Sequence, residues 1–359
     1  MAADPSTIRA VPNRYFERAD SELRIIVDQE PVCLYLETTN RCNLPCGTCP
    51  RTFEELEPPA DMSWELFTQI VDQFPKIERV VLHGVGEPMM VRDLPKMIRY
   101  LKDRGTYVLF NTNGTLLNRR KGLELMESGL DELRVSLDAA EPATFKIVRG
   151  LDMFDRIVKN VREFTQMQRE KNVDTPRVSL WLTGLKETLP QLPAFVRLAH
   201  DLGVREVYLQ RLVYFPEGQR QGQQQSLARP ESSLFEHIDS EESRLIREAE
   251  EIARTLGVSF NASGATEPGT SLQKKSSDRP WSLCRRPWTL MYFTAHGRAI
   301  PCCIAPFSMR GYASFTLGDA TQTSLREIWN GERYQEFRRA LLSDDPPKAC
   351  ANCGLRWSL

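Results

Sequence analysis

The sequence sets three cysteines close together, Cys42, Cys46 and Cys49, in the stretch Glu37-Thr-Thr-Asn-Arg-Cys-Asn-Leu-Pro-Cys-Gly-Thr-Cys-Pro50. The spacing is C-x3-C-x2-C. Thiolates are soft ligands that suit zinc or iron–sulfur clusters. Structural zinc takes four nitrogen or sulfur ligands, and the only nearby fourth is Cys33. That residue falls inside an apolar run that reads as a strand, where cysteine behaves as a small buried hydrophobe. Three thiolates on one short loop can instead hold three irons of a [4Fe–4S] cubane, whose usual complement is four cysteines. The fourth iron is then left open, as in a catalytic metal site. A zinc loop, or three unrelated cysteines, is the bland alternative.

Five further cysteines, Cys284, Cys302, Cys303, Cys350 and Cys353, lie near the other end, and none separates the two groups. In a reducing compartment nine cysteines argue for metal or redox chemistry rather than structural disulfides. Two cysteine sites far apart in a chain of 359 residues match a soft prior of about two domains.

The elements that must position these residues show in the hydrophobic pattern. Val32–Glu37, Glu78–His83, Thr106–Asn111, Glu132–Leu137, Arg177–Leu182 and Glu206–Arg211 read as strands. Between them run helical faces: Leu66, Phe67, Ile70, Val71 and Phe74 behind an N-cap at Ser63; Leu94, Met97, Ile98 and Leu101; Leu123, Leu125 and Met126; Ile157, Val158, Val161 and Phe164; Leu192, Phe195, Val196 and Ala199. Strand–helix–strand repetition implies right-handed βαβ units and a parallel α/β sheet. Six strands suit a partial barrel or an open doubly wound sheet, and in both function gathers at the C-terminal strand ends. The pattern stops near Tyr214. Pro216–Pro230 and Ser263–Asp278 read as loops, with a charged helix at Glu241–Leu256 between them. The last segment is short, turn-rich and of the kind that a metal often holds together.

Charge excludes one class of partner. With 47 basic and 48 acidic residues, the net charge of −1 leaves no basic excess for a nucleic acid backbone. No apolar run reaches the roughly 20 residues of a membrane-spanning helix, and the N-terminus lacks the apolar core of a secretory signal. No membrane partner is expected, and the cytoplasm is the default location.

With these motifs in view, residues 32 to about 211 resemble the radical S-adenosylmethionine (SAM) superfamily, whose hallmark is C-x3-C-x2-C after a first strand. The resemblance implies a partial (β/α)6 barrel over residues 32–215, preceded by an N-terminal extension, 1–31, and followed by a linker, 216–280. It implies a [4Fe–4S] cluster on Cys42, Cys46 and Cys49 whose open iron is chelated by SAM. Reductive cleavage then yields a 5′-deoxyadenosyl radical that abstracts hydrogen from a substrate C–H. Gly84-Val-Gly-Glu-Pro88 is similar to the family's GGEP motif for the SAM amino group, so Gly84, Gly86, Glu87 and Pro88 are expected there, with Val85 interrupting the glycine pair. Asn111-Thr-Asn-Gly114 and Ser136-Leu-Asp138 end the next two strands, and Arg149 lies just beyond. By resemblance Ser136 and Arg149 meet the SAM carboxylate, which a guanidinium fork suits, and Asp138 or Asn113 meets ribose or methionine. Thr48 stands where the family often has an aromatic residue against adenine.

Residues 281–359 resemble the SPASM extension, whose pattern starts C-x9-15-G-x4-C. Cys284, Gly297 and Cys302 fit it, as do Gly318-Asp319 and Ile328-Trp329-Asn330. A full SPASM domain has seven cysteines and two auxiliary clusters. Here the resemblance implies a small cysteine-rich iron–sulfur domain with one auxiliary [4Fe–4S] cluster on Cys284, Cys302, Cys350 and Cys353; a structural zinc site satisfies the same count. Cys303 adjoins Cys302 and, on a strand, points the opposite way. The spacing favours Cys302 as ligand and leaves Cys303 to the core.

The resulting expectation is an oxidoreductase-type enzyme that oxidises a small molecule or peptide, by dehydrogenation or crosslinking, in natural-product or cofactor maturation. It is supplied by a flavodoxin- or ferredoxin-type electron donor. Redox-neutral epimerisation or decarboxylation, maturation of a partner protein, and a non-catalytic iron–sulfur or zinc carrier are the alternatives. Only 41 residues precede Cys42, which tilts the substrate towards a small molecule, or a peptide presented by a partner. No catalytic acid or base is assigned. His83, Glu37, Gln210, Arg211, Tyr214 and Glu217 lie at or beyond strand ends and are candidates to line a substrate cavity.

Overall fold

Each of the six runs read as strands is paired in parallel with the next: β1 (Cys33–Leu36), β2 (Arg79–Val81), β3 (Tyr107–Thr112), β4 (Glu132–Ser136), β5 (Arg177–Gly184) and β6 (Glu206–Arg211). The computed structural model describes residues 23–351 and 353, apart from 75, 221–224, 236, 264–266 and 273–277. Most of the expected N-terminal extension and parts of the two loops after Pro216 therefore lie outside the described residues.

The strands bury both faces, as parallel strands flanked by helices do. Leu34, Leu36, Val80, Val108, Phe110, Leu133, Val135, Leu180, Leu182, Val207 and Leu209 face outward and join the helices in one large apolar core. The helices contribute the residues expected of them, and Ser63 Oγ accepts from Leu66 N at 3.1 Å to cap Trp64–Val71. The alternate residues point into the curve of the sheet. On β1, β2, β3 and a later strand of the same sheet, β8 (Leu290–Phe293), they are mostly apolar, Cys33, Tyr35, Val81, Leu109, Leu290 and Tyr292.

On β4 to β6 the inner face is charged. Glu132 Oε1 pairs with Arg134 at 2.6 Å and Oε2 with Arg177 at 3.0 Å, and Arg177 reaches Glu206 at 3.3 Å. Burial alone would raise the Glu132 carboxyl, but Arg134 and Arg177 outweigh it and hold the group at about 2. This ionic floor closes the strands' N-terminal end and leaves their C-terminal ends to form a cavity.

Among the described residues the sheet runs to ten strands once β7 (Ser259–Ala262), β9 (Arg298–Ile300) and β10 (Gly318–Asp319) are included, in the order β10-β9-β8-β1-β2-β3-β4-β5-β6-β7. After the capped helix Ser240–Leu256, β7 (Ser259–Ala262) adds in parallel to β6. Its residues are mostly half-buried, so its hydrophobic period is faint in the sequence. At the other edge β8 (Leu290–Phe293), six residues beyond Cys284, pairs in parallel with the whole of β1. β9 (Arg298–Ile300) and β10 (Gly318–Asp319) follow antiparallel. The cysteine-rich segment is thus welded to the first strand. The Trp329-Asn330 pair grips the chain just before β1: Trp329 Nε1 donates to the Gln29 carbonyl at 2.8 Å, and Asn330 exchanges two bonds with the Val27 backbone at 2.9 and 3.0 Å. Among the described residues no helix is long and apolar enough to cross a membrane.

Candidate active site and auxiliary cysteine site

The C-terminal strand ends surround a cavity of about 240 Å³. Cys42, Cys46 and Cys49 line one side. Their loop leaves β1 and is held from below and from the flank. Gly47 N donates to the Val148 carbonyl at 2.8 Å, Cys49 N to the Cys46 carbonyl at 3.2 Å, and Asn40 Nδ2 to the Pro58 carbonyl at 2.8 Å. Arg149, at the end of helix Pro142–Arg149, binds Asp138 Oδ2 at 2.6 Å and points Nη1 at Cys46 Sγ at 3.5 Å. Asn113 Nδ2 donates to Asn43 Oδ1 at 2.8 Å and stands 3.8 Å from Cys42 Sγ. Burial raises the thiols of Cys42 and Cys49, the latter to about 12. A metal must therefore displace protons here, as thiolate ligation requires.

Gly84, Gly86, Glu87, Asn113, Ser136, Asp138 and Arg149 line the same cavity. Pro88, the next residue after Glu87, is buried. Glu87 works as a brace: Oε1 accepts from Thr112 Oγ1 at 2.8 Å and Met89 N at 3.0 Å, and Oε2 from Asn113 N at 2.7 Å. Those bonds fix the glycine turn after β2 to the end of β3. Both glycines are required by close approach: a Cβ at Gly84 would enter the Glu37 side chain, and one at Gly86 would strike the Thr39 and Arg41 carbonyls. Asp138 holds φ at 61°, a region unusual for a side chain-bearing residue, and accepts from Thr183 N at 2.6 Å. Arg149 Nε is buried in this wall without a hydrogen-bond partner, a donor suited to a carboxylate.

The remaining expectations divide. His83, Gln210 and Arg211 line the cavity, as does Thr48. Burial and then Arg134 push His83 down to about 4, so it is neutral at neutral pH. Glu37, Tyr214 and Glu217 do not line it. Glu37 is fully buried, accepting from Val85 N at 2.9 Å, Ala295 N at 3.2 Å and Tyr292 OH at 3.3 Å. Glu217 pairs with Arg310 at 3.4 Å. Tyr35, Arg134, Trp181, Thr183, Arg286, Ile304 and Phe307 are also part of the wall. The inward side chains among these were readable from strand alternation, whereas Arg286, Ile304 and Phe307 come from the distant C-terminal segment.

Cys284, Cys302, Cys350 and Cys353 line a second, smaller cavity of about 30 Å³, with Trp281 and Phe337. Cys302 is pushed up to about 12 by burial. Cys303 packs against the inner apolar cluster around Cys33 and Tyr35, as expected for a core position, and also lines the large cavity rather than the small one. Among the described residues no three Cys, His, Asp or Glu side chains meet closely enough to share one metal ion. In both places the cysteines stand around a space, an arrangement that fits ligands to separate irons of a cubane.

The fold sets three cysteines at the mouth of a parallel partial barrel and a second group of cysteines in a segment joined to its first strand. Residues 36–210 match the family model described as the radical SAM superfamily, and residues 284–354 match SPASM, an iron–sulfur cluster-binding domain. The chain belongs to the radical SAM superfamily and carries a SPASM domain. It is 25% identical over 334 residues (90% of this chain, 87% of the relative) to the tungsten-containing aldehyde ferredoxin oxidoreductase cofactor-modifying protein of Pyrococcus furiosus. It is 26% identical over 328 residues (89% and 81%) to a PqqA peptide cyclase of Streptomyces rochei. Among solved structures, Streptococcus suis SuiB bound to its precursor peptide SuiA superposes with a TM-score of 0.64 at 16% identity, covering 91% of this chain and 70% of that one.

Proposed function

We propose that this radical SAM enzyme oxidises an organic substrate, a peptide or a cofactor-like small molecule, by dehydrogenation or crosslinking. When bound, the SAM-chelating cluster supplies a 5′-deoxyadenosyl radical that takes hydrogen from a substrate C–H. Cys42, Cys46 and Cys49 would hold that cluster, and Cys284, Cys302, Cys350 and Cys353 an auxiliary one. The turn of Gly84, Gly86, Glu87 and Pro88 would receive the SAM amino group, Ser136 and Arg149 its carboxylate, and Asp138 or Asn113 its ribose or methionine portion. Arg149 can serve this role because it is already oriented by Asp138 and touches the cluster loop.

The observation that carries the oxidative reading is the shared wall. Arg286 and Ile304 line both cavities, so a substrate in the first lies beside the cysteines of the second, within reach of an electron acceptor. A cofactor-modifying protein and a peptide cyclase among the relatives support the substrate classes. A redox-neutral reading has one observation in its favour: Cys303 lines the cavity. Its S–H bond can break to give a hydrogen atom to a substrate radical, leaving a thiyl radical that one electron from the reducing donor and one proton from solvent return to the thiol.

The test is an anaerobic reconstitution with iron and sulfide counted, followed by SAM and dithionite. About eight irons per chain and formation of 5′-deoxyadenosine support the proposal. Intact, reducible clusters without nucleoside favour a carrier.

A further inference from the structure

Arg286 stands in the partition between the two cavities. It lines both and is 2% exposed. Its Nη1 lies 3.9 Å from Cys284 Sγ. Among the described residues that line the auxiliary cavity, it is the one basic or acidic side chain besides the cysteines; Trp281, Ile304, Met309 and Phe337 are typical of the rest. Burial raises the thiols of Cys284 and Cys302, and at both of them Arg286 is the foremost opposing charge.

The backbone delivers this guanidinium from the main sheet. Arg286 opens the short helix Arg286–Thr289, between Cys284 and β8. The residues after it are pinned one by one. Arg338 Nε donates to the Pro287 carbonyl at 2.9 Å, Trp288 Nε1 to the Arg24 carbonyl at 2.7 Å, and Val32 N to the Thr289 carbonyl at 2.9 Å. The pairing of β8 with β1 continues directly from the last of these bonds. Arg286 is thereby fixed against the auxiliary cysteines by the first strand of the barrel.

A thiolate-ligated cluster is anionic, and reduction adds one more negative charge. Its potential answers to nearby charge, to hydrogen bonds at sulfur and to burial. Salt screens a buried charge far less than an exposed one. A guanidinium held in an apolar wall beside such a centre therefore favours its reduced state.

We infer that Arg286 is the counter-charge of the auxiliary thiolates and sets the centre's potential high enough for it to accept an electron from the substrate side. This rests on the oxidative reading above. In that reading the carbon radical left by hydrogen abstraction loses one electron to the auxiliary centre and one proton to solvent, and becomes the oxidised product. Arg286 acts through the centre, as a positioning residue; its ionic partners are the thiolates themselves.

The experiment is a redox titration of the anaerobic holoenzyme followed by electron paramagnetic resonance. The SAM-binding cluster is recognised by its response to SAM, and the remaining signal belongs to the auxiliary centre. Arg286→Gln is expected to lower the reduced-to-oxidised ratio of that centre about tenfold at a fixed potential, a midpoint shift of about 59 mV. Arg286→Lys keeps the charge and shifts it less. The midpoint of the SAM-binding cluster stays unchanged in both. A second readout serves where Arg286→Gln does not assemble its clusters. With isotopically labelled guanidinium nitrogen in the wild type, the reduced auxiliary centre should show a nitrogen coupling that Arg286→Lys loses. An unchanged or raised midpoint in Arg286→Gln, no nitrogen coupling in the wild type, a coupling undiminished in Arg286→Lys, or zinc in place of a reducible second cluster overturns the inference. Nucleoside formation from SAM in the same preparation tests the enzyme reading separately: its presence with an unmoved auxiliary midpoint sinks only the role of Arg286.

Discussion

Glu37 occupies the space that a side chain at position 84 would need, and its carboxylate accepts from the next residue's amide, Val85 N, at 2.9 Å. One acid just after the first strand thereby shapes the turn after the second. It also reaches Ala295 N at 3.2 Å, in the turn between β8 and β9. The glycine turn, the first strand and the C-terminal segment are set against one another by a single buried carboxyl.

Gly84→Ala tests that relationship. The added methyl has a rigid buried neighbour to displace, so overpacking is expected to cost about 1–3 kcal/mol in stability. The turn must shift with it. Denaturant unfolding and a SAM-binding titration should move together. A variant with wild-type stability and affinity would show that Glu37 yields without consequence.

Glu37 also predicts a pH dependence. Burial pushes its carboxyl up to about 7, against the pull of hydrogen bonds from Val85, Ala295 and Tyr292. Between the ordinary carboxylate value and about 7 the folded chain keeps a proton that the unfolded chain has lost. This contribution to stability is therefore greatest at low pH and declines as pH rises through that window, by about 3 kcal/mol at most. Relative to Glu37→Gln, whose side chain does not titrate, the wild type should lose ground from pH 5 to pH 8. A gap that stays constant from pH 5 to pH 8 would mean that the carboxylate is already ionised at pH 5.

Arg149 joins Asp138 to the Cys46 loop. Arg149→Ala leaves a buried carboxylate without its partner, at a cost of about 3–5 kcal/mol. Arg149→Lys keeps the charge but lacks the fork needed to reach both neighbours. Losing one charge-assisted hydrogen bond, worth about 1.5–3 kcal/mol, should raise the Kd for SAM roughly ten- to a hundredfold in the lysine variant. Iron content measured alongside separates weakened SAM binding from a lost cluster. Unchanged SAM affinity in the lysine variant would remove Arg149 from the SAM site.

Adjacent cysteines that line different cavities should behave differently. Cys302→Ser is expected to lower the iron content from about eight to about four per chain. Cys303→Ser should keep the iron and alter turnover or the product. With deuterated solvent, a product that gains deuterium in the wild type and loses that label in Cys303→Ser would select the redox-neutral reading. Equal iron loss in both variants would contradict the assignment of the two side chains to separate spaces.

Much of this was legible in the amino-acid sequence because it is local. The C-x3-C-x2-C spacing, six strands with alternating faces, the Ser63 cap and the polar residues at successive strand ends are set by neighbours within a few positions. Parallel pairing in chain order then carries residues as distant as Cys42, Asn113 and Arg149 to one end of the sheet. What only the tertiary structure decided depends on contacts between segments far apart in the chain. β8 pairs with β1, turning an expected separate cysteine-rich unit into an extension of the main sheet. That pairing brings Arg286 and Cys303 to the cavity wall and turns Glu37 from a candidate cavity residue into a buried brace. Side-chain periodicity states which face of a strand a residue occupies, but not which distant strand will cover that face. That choice is made by the register and edge pairing of the assembled sheet.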